Sequence, residues 1–198
     1  MEYTDEKIIE VMNQYKTREH GDIESGIYLK EQLFRFERQE FYDGKFSVMI
    51  PTSFTDMSLQ NAKIKYPSEQ RPKIIKTNED GDINFTFTLL EDVDFETKFV
   101  KEARDGLYNI IKRLQPANVF YESKEEEIGD TLAGWFEFKS HGLDCKIYQL
   151  MYCMPIGGKL LQGLFNCKYS DSRLWKPVFL QVLKSIQDHT EKEADRDA

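Results

Sequence analysis

Cysteine and histidine are both scarce in this chain, three of each in 198 residues. Cys145, Cys153 and Cys167 form no CxxC pair and are odd in number, which excludes a disulfide framework and a zinc-ribbon spacing. His20, His141 and His189 lie at neither helical nor Cx2C-type spacing from another ligand, so no metal site is expected and each reads as a surface residue. Long apolar runs are missing too: none approaches the roughly 20 residues that span a bilayer. The first 15 residues are too charged for a signal peptide, and the expected location is the cytoplasm. Cations are outnumbered, 27 Lys and Arg against 35 Asp and Glu, for a formal charge of −8 and a pI near 5.1. Without a basic stripe, nucleic acid and anionic membranes are poor partners.

Catalytic signatures are equally absent. No GxSxG elbow, HExxH, Walker loop or GxGxxG occurs, and Gly157-Gly158 reads as a turn rather than a phosphate cradle. His141-Gly-Leu-Asp144-Cys145 comes nearest to a thiol nucleophile, but such pairs are assembled in space rather than by sequence adjacency. Glu125 to Glu127 sit in a charged run and read as solvent-facing. The expectation is no enzyme, no catalytic residue and no cofactor.

What the chain does contain is aromatic, 14 Phe and 10 Tyr, and it is patterned as alternating strands with two amphipathic helices. Its size fits one domain over residues 25–188, with a helical extension over 1–24 and a frayed polar tail over 189–198. Asp5 to Glu19 carries Ile8, Ile9, Val11, Met12 and Tyr15 at helical spacing. Phe34, Phe36, Phe41, Phe46, Val48 and Ile50 alternate with polar residues about Tyr42-Asp43-Gly44-Lys45, a strand-turn-strand signal that Pro51 ends. Asp80-Gly81 marks a hairpin between Lys73–Lys76 and Ile83–Leu90. Phe95, Phe99, Ala103, Leu107, Ile110, Ile111 and Leu114 share one face of a helix that Asp94 can cap and Pro116 stops. Trp135 to Met154 and Lys159 to Cys167 read as three strands, and Asp171 to Gln187 as a closing helix whose regular part begins near Trp175 because of Pro177.

With Gly157-Gly158 at the turn, Cys153 faces about Gln162, and side-chain alternation divides the last strands into two sets. Phe136, Phe138, Ile147, Gln149, Met151, Cys153, Gln162, Leu164 and Asn166 share one side; Trp135, Tyr148, Leu150, Tyr152, Leu161 and Phe165 share the other. Cys167 then falls on the side opposite Cys153, so no disulfide joins them. Both sides are largely apolar and both need a cover. The first mixes amides with methionine, as an adaptable groove does; its candidate partner contacts are Phe138, Gln149, Met151, Gln162, Leu164 and Asn166.

The strand Lys45-Phe-Ser-Val-Met-Ile-Pro51, followed by Phe54, resembles the F-x-V-x-x-P-x-x-W/F opening of the PsbP/Mog-like superfamily. Gly134-Trp-Phe-Glu-Phe138, Lys146-Ile-Tyr-Gln-Leu-Met-Tyr152, Gly158 to Cys167 and Leu183-Lys-Ser-Ile186 resemble that family's last strands and helix, so the pattern covers about residues 30–187. The resemblance implies an α+β fold: a three-layer α/β/α sandwich around a mainly antiparallel sheet of about six or seven strands. It also implies a non-catalytic module that binds another protein, closest in character to cytoplasmic DcrB-like bacterial proteins that chaperone apolar segments of a partner. Two other readings stay open, a small-ligand carrier or unrecognised hydrolase, and a structural subunit of a complex with Phe34, Phe36 and Phe41 exposed.

Overall fold

The computed structural model describes residues 21–142 and 144–190. The helix expected over Asp5 to Glu19 and the tail beyond Thr190 lie outside the described residues. In chain order the elements are β1 (Ile27–Leu29), β2 (Gln32–Phe34), β3 (Phe36–Phe41), β4 (Phe46–Pro51), β5 (Thr55–Asp56), α1 (Leu59–Lys65), β6 (Ile74–Thr77), β7 (Asn84–Asp94), α2 (Val100–Leu114), β8 (Val119–Ile128), β9 (Thr131–His141), β10 (Lys146–Ile156), β11 (Lys159–Lys168), α3 (Ser172–Lys184) and β12 (Gln187–Asp188). A seven-stranded antiparallel sheet runs β5-β6-β7-β11-β10-β9-β8, a three-stranded one runs β12-β4-β3, and β1 pairs with β2.

The β10–β11 register follows from its turn. Gly157 and Gly158 take φ of 56° and 71°, the left-handed pair that a two-residue hairpin needs, and Cys153 stands opposite Gln162. Tyr148 pairs with Cys167, which puts Cys167 on the other face from Cys153. All three cysteines are free.

One face of the large sheet is packed by α3 and the small sheet. Trp135, Leu150, Tyr152, Leu161 and Phe165 are buried there among Phe46, Phe85, Phe87, Trp175 and Phe179. The rings meet edge-on or tilted, Phe85 with Phe179 at 5.4 Å and Tyr152 with Phe165 at 4.8 Å, a geometry favoured by ring quadrupoles. The second cover is thus a helix plus three strands. The opposite face carries α1 and α2.

Three local expectations are corrected. Asp94 ends β7, where Lys159 Nζ donates to it at 2.6 Å, and caps no helix; a 3-10 turn, Thr97–Phe99, leads into α2 instead. Helix α3 is regular from Ser172, a turn earlier than Pro177 suggested; the proline sits on the exposed side, where the carbonyl it leaves unbonded can meet water. The hairpin expected at Asp80-Gly81 is present: β6 pairs antiparallel with β7 across a six-residue loop, in which Gly81 takes φ of 71° and the Asn78 side chain accepts from the Asp82 and Ile83 amides. His189 is half-buried, with Nε2 2.7 Å from Ser47 Oγ.

Candidate functional site

The row Phe120, Phe138, Gln149, Asn166, Asn84 crosses five strands on the face that bears α1 and α2. Helix α2 sits over the β8–β9–β10 half. Its close approach depends on Gly134, where a Cβ would stand 3.0 Å from Val100 Cγ1 and from Arg104 Cβ. Cys153 Sγ reaches Val100 O at 3.9 Å, and the Tyr108 ring packs on Phe120 at 4.5 Å and Phe136 at 5.5 Å. Burial holds the Cys153 thiol neutral, pushing it up to about 12. Arg104, buried, pairs with Asp105 and with Glu125 of β8.

Helix α1 stands over the other half, and its hold is polar. Asn166 Nδ2 donates to Tyr66 Oη at 2.9 Å, Asn84 Nδ2 donates to Asn166 Oδ1 at 2.9 Å, and Lys65 Nζ donates to Gly81 O at 2.5 Å. Burial pushes the Tyr66 hydroxyl up to about 12, the Asn166 bond opposing it. Burial also pushes the Lys65 ammonium below its usual value, with Asp82 and Cys145 pulling the other way.

Between the helices lies an open trough. Its floor is Gln149 and Met151 of β10 beside Gln162 and Leu164 of β11, all four half-buried, with Gln149 Nε2 donating to Ser140 Oγ at 2.5 Å. At about 100° per residue, Arg104 and Tyr108 turn to the β8 side of Val100, and Leu107, Ile110 and Leu114 turn toward β11. That flank is only partly covered, with Ile110 46% and Leu114 71% exposed. Of the six predicted contacts, four line this floor. Phe138 lies 2% exposed against the Phe120 and Phe136 rings, and Asn166 is buried under Tyr66, so these two support the trough from below. The exposed flank of α2 was legible as an apolar stripe; α1 was not, having only Ala62 buried and no stripe to read.

Elsewhere, the His141, Asp144 and Cys145 constellation lines a cleft of ≈ 580 Å³ with Lys146, Lys168 and Tyr169. A second cleft of ≈ 810 Å³ runs between the β8–β9 and β10–β11 turns, past Thr97, Lys184 and His189. Among the described residues no three His, Cys, Asp or Glu side chains could together hold a metal ion, and no helix is long and apolar enough to cross a membrane. Phe34 and Phe41 are buried and Phe36 packs against the core, so the exposed aromatic patch that would have favoured the subunit reading is not there.

No protein-family model matches the chain, and no curated protein does. Among solved structures it is similar to the cyanobacterial PsbP (CyanoP) of Synechocystis sp. PCC 6803, with a TM-score of 0.56 and 10% identity over 83% of this chain and 98% of that one. It is also similar to the Ran-binding protein Mog1p of Saccharomyces cerevisiae, with a TM-score of 0.52 and 13% identity over 78% and 96% of the two chains. At such identities the likeness is one of fold.

Proposed function

We propose that this chain, which has the PsbP/Mog-like fold, is a non-catalytic protein-binding module, an adaptor or chaperone that buries an apolar segment of a partner in the trough between α1 and α2. One observation carries the reading: on the sheet face that bears α2, Met151 and Leu164 stay only half-buried, and Ile110 and Leu114 of α2 stay exposed. Apolar surface left beside a concave floor gains free energy when a partner removes it from water, at roughly 25 cal/mol per Å² before the costs of association. Gln149 and Gln162 can serve the partner's backbone, and the Met151 thioether adapts to irregular shapes. Mog1p, which shares the fold, is named as Ran-binding, so the scaffold has a protein-binding precedent.

The test compares tagged wild type with Met151→Asp in affinity capture from the native cells. Met151 is half-buried, and a carboxylate there is expected to reach water and to move the thermal midpoint little. The expected outcome is one near-stoichiometric partner, with a long apolar segment, captured by the wild type and lost from the variant. Equal capture by both would remove the trough from the mechanism, and unfolding of Met151→Asp would show that the position is core.

A further inference from the structure

The trough's two walls share an electrostatic peculiarity. Residues 57–68, which contain α1, and residues 106–121, which contain the outer half of α2, hold no carboxylate, although acids outnumber cations 35 to 27 in the chain. They carry Lys63, Lys65, Lys112 and Arg113 instead. Both helices end over the same cross-strand row: Tyr66, just past α1, touches Asn166, and the last turns of α2 follow Tyr108 past Phe136 toward Phe138. Lys112 is spent over the Tyr108 ring at 5.6 Å, and Lys65 on the Gly81 carbonyl. Lys63 and Arg113 are exposed, and neither has an ion pair among the described residues. The nearby Asp82 is already held by Lys168 at 2.8 Å, and the exposed acids at this end include Asp80 and Asp144, both outside the two helices. Last-turn cations ordinarily complement a helix dipole. The lack of carboxylates in α1 and in the outer half of α2, whose acids Glu102 and Asp105 lie nearer its start, beside exposed Ile110 and Leu114, is a further step that favours one sign of partner.

Resting on the reading of the trough as the binding surface, we infer that its occupant is an acidic amphipathic helix, whose apolar stripe lies on Met151, Leu164 and the α2 flank and whose Asp or Glu residues meet Lys63 and Arg113. The discrimination is against basic amphipathic segments, which would place like charges along both walls.

Fluorescence anisotropy with labelled 18-residue helical peptides tests this on the full chain. One peptide has a Leu stripe and a Glu face; its counterpart has the same stripe and a Lys face. The Glu peptide is expected to bind at 50 mM salt and to weaken at 300 mM as screening sets in, and the Lys peptide to bind at least tenfold more weakly, a rough expectation for two rim charges. Lys63→Glu with Arg113→Glu, both at exposed positions, should reverse that preference, and Met151→Asp should abolish binding of either peptide. Equal binding of both peptides, lost in Met151→Asp, would overturn the charge selection while leaving the trough as the binding surface. No binding of the Glu peptide, or binding that Met151→Asp does not touch, would overturn this inference, with the capture experiment deciding separately on the trough itself.

Discussion

Gly163 shows how much one missing side chain can decide. It sits in the middle of β11, where the Tyr152 hydroxyl passes it to donate to the Thr86 carbonyl at 3.0 Å. A Cβ at this position would collide with both that carbonyl and the tyrosine ring. Gly163→Ala is therefore expected to lose roughly 3 kcal/mol or more in urea unfolding, at or beyond the upper range of core overpacking; a loss under 1 kcal/mol would mean that β11 shifts to make room. Glu137 is a comparable case among polar residues. Buried between β8 and α3, it accepts from Tyr148 Oη at 2.5 Å and Lys176 Nζ at 2.8 Å. Glu137→Leu leaves the buried tyrosine hydroxyl without its acceptor and should destabilise by roughly 1–3 kcal/mol, whereas Glu137→Gln should cost less. Neither contact was readable beforehand, because Glu137 alternates in sequence like any solvent-facing strand residue.

Among elements, α1 and β8 were the hardest to read, for different reasons. Helix α1 is seven residues long, Ser58 Oγ accepts the Asn61 amide at its start, and its attachment is polar, so it has no hydrophobic period to detect. Tyr66→Phe removes the acceptor of the Asn166 amide. Amide hydrogen exchange should then speed in Leu59–Lys65 while β9, β10 and β11 keep their protection; unchanged exchange would assign the hold to Lys65 and Ala62. The acidic run Glu122 to Glu127 reads as a loop or solvated strand end, yet β8 continues through it, pairing Glu125 with Gly134 and Ile128 with Thr131. As the last strand of its sheet, β8 gains from charges that discourage pairing with another chain. The three strands after Thr131 were legible because turn residues and alternation agree there.

At the scale of the molecule, the core holds neutral groups that ionise only in alkali. Burial pushes Tyr66 and Cys153 up to about 12, from ordinary values of 10.0 and 9.0, and raises Tyr148, Tyr152 and Cys167 as well, with Glu137 adding to the effect at Tyr148. Below the ordinary values both folded and unfolded states are protonated, so these groups add no pH dependence. Above them the unfolded chain has released protons that the folded chain still binds, and stability falls as pH rises, by up to about 1.4 kcal/mol per pH unit for each group. Urea unfolding should be nearly flat in this respect from pH 7 to 8.5 and fall steeply by pH 10.5. A midpoint unchanged at pH 10.5 would mean that these groups reach water in the folded state.

The sequence by itself determined the strand register, the separation of Cys153 from Cys167 and the division of the last strands into two faces, because a two-residue turn and a period of two leave no freedom once the turn is placed. It also carried enough pattern to indicate the PsbP/Mog-like fold. What only the tertiary structure decided is which side of that sheet is left open. Both faces are apolar, and local pattern cannot say that α3 and a second sheet seal one of them while α1 and α2 stand apart on the other. That choice rests on long-range contacts, Gly134 under Val100 and Asn166 under Tyr66, and it takes Phe138 and Asn166 out of reach while leaving Met151 and Leu164 half-buried.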